Sequence, residues 1–350
     1  MTILNHRFLQ YLLFPFSLIY GLVVWVRNIC YDHQIFQCFK VEKCKVISVG
    51  NISVGGTGKT PVIKFLALHL KEKGVKITVL SRGYGRKTKG TIVVSDGNKI
   101  ICDSNESGDE PLLLARQLSG IPVVVEADRY KGARFILEQF RPDVILLDDG
   151  FQHRRLFRDF NIALVDASVG FGREFLLPAG FLREPVKSLK RADLIWLTRT
   201  DQASDLQSLI RRIRKVSDKE IVESVHEADG LFLAGTGEVQ PLKFIRNKNV
   251  LLFSGIANAD SFKRTVKNFG PGMVQHIRYS DHFEYKKQDI DRIVQKSNEI
   301  GAELIITTEK DYVKLADFIE YCTDLFYLTI NIKITGGTSL SKTKMSDLFV

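Results

Sequence analysis

The sequence predicts an α/β fold: a parallel sheet wrapped by helices, a second and smaller α/β domain after it, and a membrane-anchor helix at the N-terminus. Three observations carry this expectation. Short β-rich apolar runs alternate with amphipathic helical stretches along most of the chain. The stretch "VISVGNISVGGTGKTPVIKF" at 46–65 passes from an apolar strand through a glycine cluster into Gly58-Lys59-Thr60 and a helix, the layout that opens a P-loop NTPase-like domain. Residues 8–26, "FLQYLLFPFSLIYGLVVWV", carry no charge over a length that can cover the hydrocarbon core of a bilayer.

The anchor comes first, over 1–28. Tyr11, Tyr20 and Trp25 lie towards the ends of the apolar run, where interfacial aromatics concentrate, while Gln10, Pro15 and Ser17 weaken it. No A-x-A-like cleavage site follows, which argues against a signal peptide; a buried core helix is the other alternative. Arg27, Lys40, Lys43 and Lys45 outweigh Arg7, so the body is expected on the cytoplasmic side of the membrane. The sequence leaves open whether the segment spans the bilayer or lies in its interface.

A larger α/β domain is expected over 29–245, with strands at 46–49, 77–80, 123–125, 144–147, 162–165 and 194–197. A helix at 61–73 has Pro61 in its first turn and Gly74 as its stop. Two β-rich runs around Ser95-Asp96-Gly97-Asn98 give a hairpin signal over 91–102. The run "RRIRK" at 211–215 reads as a solvated helix face. The smaller domain, 246–350, should hold strands at 250–253 and 304–307 and helices at 260–268 and 286–300.

The chain's 350 residues suffice for two cores, and its net charge of +10 favours polyanionic partners. Its basic residues are spread rather than clustered with aromatics, so nucleic acid is not expected as a partner. The five cysteines form no C-x-x-C pair and no zinc spacing, which points away from disulfides and bound zinc.

The chemistry concentrates at strand ends. In a P-loop, backbone N–H groups hold the β- and γ-phosphates of a nucleotide, and glycine supplies the dihedrals this requires. The loop here is Ser53, Val54, Gly55, Gly56, Thr57, Gly58, Lys59 and Thr60, with Ser53 where the usual pattern has its first glycine. Lys59 would reach the phosphates and Thr60 would offer its hydroxyl to Mg²⁺. "DVILLDDGFQHRR" at 143–155 puts Asp148 and Asp149 at a strand tip, where paired carboxylates call for a cation; a polar turn is the alternative. "SRGYGR" follows the second strand. "SGDEP" sets Asp109 and Glu110 before an apolar helix, as an N-cap or as functional acids. "PAGFLREP" and "YSDHFEY" add Arg183, Glu184 and His282.

"VGNISVGGTGKTP", "SRGYGR", "GDEP", "DDGFQHRRL", "LPAGFLREP", "SGIAN", "SDHF" and "TTEKD", in this order, resemble the tetraacyldisaccharide 4'-kinase family, the lipid A 4'-kinases of Gram-negative bacteria. The resemblance runs from Val46 to about Asp311 and accommodates Ser53, because the family tolerates Ser or Thr there. It implies ATP- and Mg²⁺-dependent phosphorylation of the 4'-hydroxyl of a tetraacyldisaccharide 1-phosphate at the cytoplasmic membrane, in a cleft between the two domains. It implies Asp109 as the base on the sugar hydroxyl, with His282 in support. Asp148, Asp149 and Thr60 would serve the metal, and Tyr84, Arg183 and Glu184 would lie near the lipid. Arg154, Arg155, Lys187, Lys190 and Arg191 are expected to meet lipid phosphates. The alternative is another P-loop NTPase acting as a nucleotide switch at the membrane.

Overall fold

The computed structural model describes residues 7–315, 318 and 324–337; the first residues of the expected anchor and the end of the chain lie outside these. The helices are α1 (Arg7–Asp32), α2 (Lys59–Glu72), α3 (Ser104–Ser107), α4 (Asp109–Gln117), α5 (Arg129–Gln139), α6 (Leu206–Arg214), α7 (Ala259–Lys267), α8 (Lys287–Glu299) and α9 (Glu309–Tyr312). The strands are β1 (Lys45–Asn51), β2 (Ile77–Ser81), β3 (Ile92–Ser95), β4 (Val123–Val125), β5 (Val144–Asp148), β6 (Phe160–Asp166), β7 (Leu194–Thr198), β8 (Glu220–Leu233), β9 (Val239–Gln240), β10 (Asn249–Ser254), β11 (Met273–Arg278), β12 (Leu304–Thr308) and β13 (Leu325–Gly337).

They form one sheet in the order β11-β10-β12-β13-β8-β7-β6-β1-β5-β2-β4-β3, with β9 beside β8. Pairing is parallel except at β3–β4, β8–β9 and β8–β13. The central strands are buried on both faces, as a sheet covered by helices requires. On α2, Val62, Ile63, Leu66, Ala67 and Leu70 fall on one helical face and pack against Ile47, Leu146 and Trp196.

The expected boundary near residue 246 does not interrupt the sheet. β8 pairs with β7 at its start and with β13 from Val222 to Leu233, and β13 pairs with β12 over Leu325–Leu328. Two long strands therefore carry the sheet from one half of the molecule to the other. The expected hairpin is reduced to a turn: Ile100 makes a single bridge to Ser95, and β3 instead pairs with β4. In the "RRIRK" run Ile213 is buried while Arg211 and Arg214 are exposed, so that helix face is solvated as expected.

Helix α1 is long and apolar enough to cross a membrane, yet it is fastened to the body at both ends. Gln10 accepts from Arg173 at 3.3 Å and Phe14 packs against Phe175. The Ser17 hydroxyl donates to the Leu176 carbonyl at 2.9 Å and accepts from the Ala179 N–H. Tyr20 donates to the Arg183 carbonyl, and Arg27 and Asn28 both reach Glu184. Arg154 bonds the Asn28 carbonyl and Asp32. These contacts follow a stripe of period near 3.6, while Leu12, Phe16, Ile19, Leu22, Val23 and Val26 stay exposed on the remaining faces.

Glu184 closes this attachment. Its carboxylate is fully buried between Arg191 at 2.8 Å and Arg27 at 3.1 Å. Burial pushes its proton affinity up, and the two guanidinium groups outweigh that and hold it below its ordinary value. Glu184→Ala leaves two half-buried cations without their shared anion, which is expected to destabilise the protein by about 2–3 kcal/mol, less than for a wholly buried pair because water still reaches both guanidinium groups. A lowered Tm of the detergent-solubilised protein, largest above the ordinary carboxylate pKa and fading as pH falls through the depressed one, checks this.

Candidate functional site

The glycine loop leaves β1 and is pinned from behind. Val54 N–H donates to the Phe181 carbonyl at 2.7 Å, and Ser53 forms a bridge with Leu182. Ser53 has no positive φ, so the missing first glycine needs no special backbone there. It lies behind the loop beside Asp166 and Phe181, away from the main cavity that the other loop residues line. Gly55 and Gly58 use φ of 106° and 84°, the region glycine adopts without strain. Gly56 departs from the expected pattern: its φ is not positive, and a Cβ there would stand 3.3 Å from that of Ala257.

The loop's carbonyls are held by the ends of β6 and β7. Arg199 donates to the Gly56 carbonyl at 2.9 Å and pairs with Asp166, and the Thr198 hydroxyl donates to the Thr57 carbonyl at 2.9 Å. Asn258, the N-cap of α7 in the second half, bonds Ser168 at 3.2 Å and reaches Asp166. Helix α2 begins at Lys59, one residue past Gly58, with its dipole directed at the loop.

The paired aspartates take different surroundings. Asp148, at the tip of β5, is 4% exposed and accepts from the Ser81 hydroxyl at 2.7 Å. Burial, with Glu110 and Asp149 adding like charge, pushes its pKa up to about 6. Asp149 adopts a left-handed backbone, φ 50°, which turns its carboxylate towards Lys59 at 3.5 Å and Arg183 at 2.9 Å. Burial raises its proton affinity, but those cations outweigh it and keep Asp149 ionised.

Asp109 is not an N-cap. It is the first residue of α4, after Gly108 at φ 90°; the side-chain cap is one turn earlier, where Asp103 and Glu106 close a capping box on α3. Freed from capping, its carboxylate meets His282 Nδ1 at 3.5 Å and Lys314 Nζ at 3.3 Å, both from the second half. Burial pushes Asp109 up, and His282 with Lys314 draws it below its ordinary value. Asp109 stands one residue behind the cavity wall, which Glu110 and His282 form. The exposed Tyr84 ring lies 5.8 Å from that of His282.

Glu110, which the sequence offered with Asp109 as an N-cap or a functional acid, meets Lys310, a residue that sequence reasoning left without a role. They pair at 3.0 Å across the two halves, with Lys310 also 3.4 Å from Asp281. Lys310 lies in the "TTEKD" stretch, whose charge cluster at a strand tip was the available signal. Arg199 and Lys314 had no such signal.

These groups surround one cavity of about 820 Å³, within the range of small-molecule sites, reached by the loop, β5, α4, the His282 turn and Tyr20 of α1. Glu184 departs from expectation: it does not line the cavity, because Arg27, Asn28 and Arg191 enclose it. Arg183 does line it. Of the expected phosphate-contacting bases, Arg154, Arg155 and Arg191 are paired within the protein, with Asp32, Asp128 and Glu184, while Arg155, Lys187 and Lys190 are exposed.

A model of the family described as LpxK, tetraacyldisaccharide-1-P 4'-kinase, matches residues 9–347. A tetraacyldisaccharide 4'-kinase of Syntrophus aciditrophicus (strain SB) is 39% identical over 92% of this chain and 89% of its own length. That of Aquifex aeolicus (strain VF5) is 36% identical over 94% and 96%. Among solved structures, the "apo" form of LpxK from Aquifex aeolicus in complex with ATP superposes with a TM-score of 0.76 at 34% identity, covering 97% of this chain and 98% of that one.

Proposed function

The chain belongs to the tetraacyldisaccharide-1-P 4'-kinase family, and we propose that its cleft transfers the terminal phosphate of ATP to the 4'-hydroxyl of a tetraacyldisaccharide 1-phosphate, with Asp109 as base. The observation that carries these roles is the convergence, on one cavity, of a phosphate loop, a strand-tip aspartate pair and His282, which pairs with Asp109 just behind the cavity wall, the two drawn from opposite halves. A nucleotide switch has no use for that last pair.

Phosphoryl transfer asks chiefly for positioning and charge neutralisation. The free N–H groups of Gly58, Lys59 and Thr60 and the α2 dipole hold phosphate oxygens, and Lys59 neutralises them. The acceptor hydroxyl loses its proton to Asp109, which is ionised at neutral pH and oriented by His282 and Lys314. As the O–H bond breaks, the oxygen's new bond to phosphorus replaces the bond to the ADP leaving group. Arg183 bonds Asp149 and Gln152 at the cavity wall, and the Tyr84 ring lies beside that of His282.

Mg²⁺ suits the residues present. Asp148 and Asp149 with the Thr60 hydroxyl are hard oxygen donors, and the raised proton affinity of Asp148 is that of a buried carboxylate short of positive charge. Such sites need one or two carboxylates, with phosphates and waters completing the shell. The ion supplies charge neutralisation on the phosphates.

Helix α1 is proposed to lie in the membrane interface rather than span it. Docked to the body from Gln10 to Asp32, it cannot cross the bilayer without drawing the body in. Its exposed apolar face would enter the leaflet, and Tyr20 on its inner face lines the cavity where the lipid headgroup sits. Leu18→Lys with Leu22→Lys, both on the outer face, should release the protein from anionic vesicles in a flotation assay while leaving Tm unchanged. Transfer of ³²P from ATP to the 4'-position of the disaccharide lipid tests the function; hydrolysis of ATP without lipid labelling would refute it.

A further inference from the structure

Among the described residues, Lys310 is the only lysine or arginine of the second half that lines the cavity. The roles above leave it unused. It follows the tip of β12, and its backbone is fixed from both sides. Thr308 caps α9, its hydroxyl accepting from the Asp311 N–H at 3.1 Å. Asp311 is fully buried and accepts from the Gly255 N–H and the Tyr285 hydroxyl, both at 3.1 Å. The Gly255 carbonyl accepts from the His282 N–H at 3.2 Å, so one framework sets both Lys310 and His282. The Lys310 ammonium stands 3.0 Å from Glu110, 3.4 Å from Asp281 and 3.4 Å from His282 Nε2, and the side chain is 18% exposed. Burial draws its proton affinity down, and Glu110 and Asp281 outweigh that and hold it above its ordinary value.

This corner of the cavity is rich in negative charge. Glu110, Asp148, Asp149 and Asp281 line it, and after burial itself the like charges of Glu110 and Asp149 push Asp148 up. A phosphoryl group in transfer spreads further negative charge over its three equatorial oxygens. Lys59 neutralises the loop side of that group. The other side faces the second half, because the acceptor hydroxyl meets the Asp109–His282 pair. An ion pair that only held the halves together could sit anywhere along their seam, whereas this ammonium stands against the ring that orients the base. A lysine has three rotatable donors on a flexible stem, so it can turn one to a phosphate oxygen. We propose that Lys310 is a catalytic residue, giving its ammonium to the oxygens of the phosphoryl group in transfer, opposite Lys59. This rests on the kinase reading above. Lys310 supplies counter-charge only: the hydroxyl proton goes to Asp109, and the new O–P bond replaces the bond to ADP.

The test uses the full chain in detergent and reads kcat for ³²P transfer to the lipid beside ATP affinity, by displacement of a fluorescent ATP analogue. Lys310→Met keeps the length of the side chain and removes its charge. It should lower kcat by about 10²-fold and leave ATP affinity within about threefold, since the contact is made in the transition state. Lys310→Arg keeps a cation and should hold kcat within about tenfold of wild type. A third readout needs no turnover: ADP with aluminium fluoride, a planar anion shaped like the phosphoryl group in transfer. It should bind wild type more tightly than ADP alone, and Lys310→Met should lose about tenfold of that gain. Should Lys310→Met not fold, Lys310→Gln, which can still donate to Glu110, replaces it with the same expectations. Near-normal kcat in the uncharged variant, an arginine variant no better than it, or an unweakened aluminium fluoride complex would overturn the assignment. A wild type that binds ATP but labels no lipid refutes the kinase reading and this role with it. Lipid labelling that survives Lys310→Met unchanged refutes Lys310 alone.

Discussion

Asp109→Asn is expected to lower kcat by about 10³-fold, within the range for a general base, with ATP affinity unchanged. The substitution keeps the size of the side chain and its contacts with His282 and Lys314, and removes the charge that takes the hydroxyl proton. Burial opposes ionisation of Asp109, and its two cationic or hydrogen-bonding neighbours more than compensate. The depressed pKa means that the base form persists on acidification, and activity falls only as pH passes below the ordinary carboxylate range. Lys314→Met should move that acid limb to higher pH, because the remaining neighbour no longer offsets burial. A pH profile of kcat/KM for both proteins checks the sign. An Asp109→Asn enzyme of near-normal turnover would remove Asp109 from the chemistry.

Lys59→Ala is expected to cost about 10²–10³-fold in kcat/KM for ATP, comparable with removing one preorganised donor at a developing charge. Two effects add. The phosphates lose their cation, and Asp149 loses the partner that the loop provides, leaving Arg183, at 2.9 Å, as its ion-pair partner. The variant should therefore also require more Mg²⁺ for half-maximal rate, measured as a shifted metal titration. A loss confined to KM for the lipid would contradict the placement.

Much of this site was legible because its signals are local. A strand, a glycine turn and Gly58-Lys59-Thr60 need only neighbours in sequence, and Asp148-Asp149 announces itself by putting like charges at a strand tip. The strands at β1, β5, β6, β7, β10 and β12 fell where apolar runs placed them. What escaped depends on distant partners. β13 pairs with β8 over a separation of about a hundred residues, and its mixed pattern, mostly buried at its start and partly exposed towards its end, carries no clean period on its own. Glu184 next to Arg183 in a loop reads the same whether it faces a ligand or Arg27, and only the docking of α1 decides. Asp109 could have capped α4; Gly108 and the box at Asp103 relieve it of that duty, which sequence order alone does not disclose.

The joint between α1 and Glu184 also bears on how a water-soluble version could be engineered. Trimming the first thirty or so residues removes Tyr20 from the active-site wall, strips Glu184 of Arg27 and Asn28, and unsettles Arg183, the residue next to it that steadies Asp149. A truncated enzyme would thus confound loss of lipid access with damage to catalysis, and the better route to solubility is to recolour the outward face of the helix with polar side chains while keeping its backbone in place.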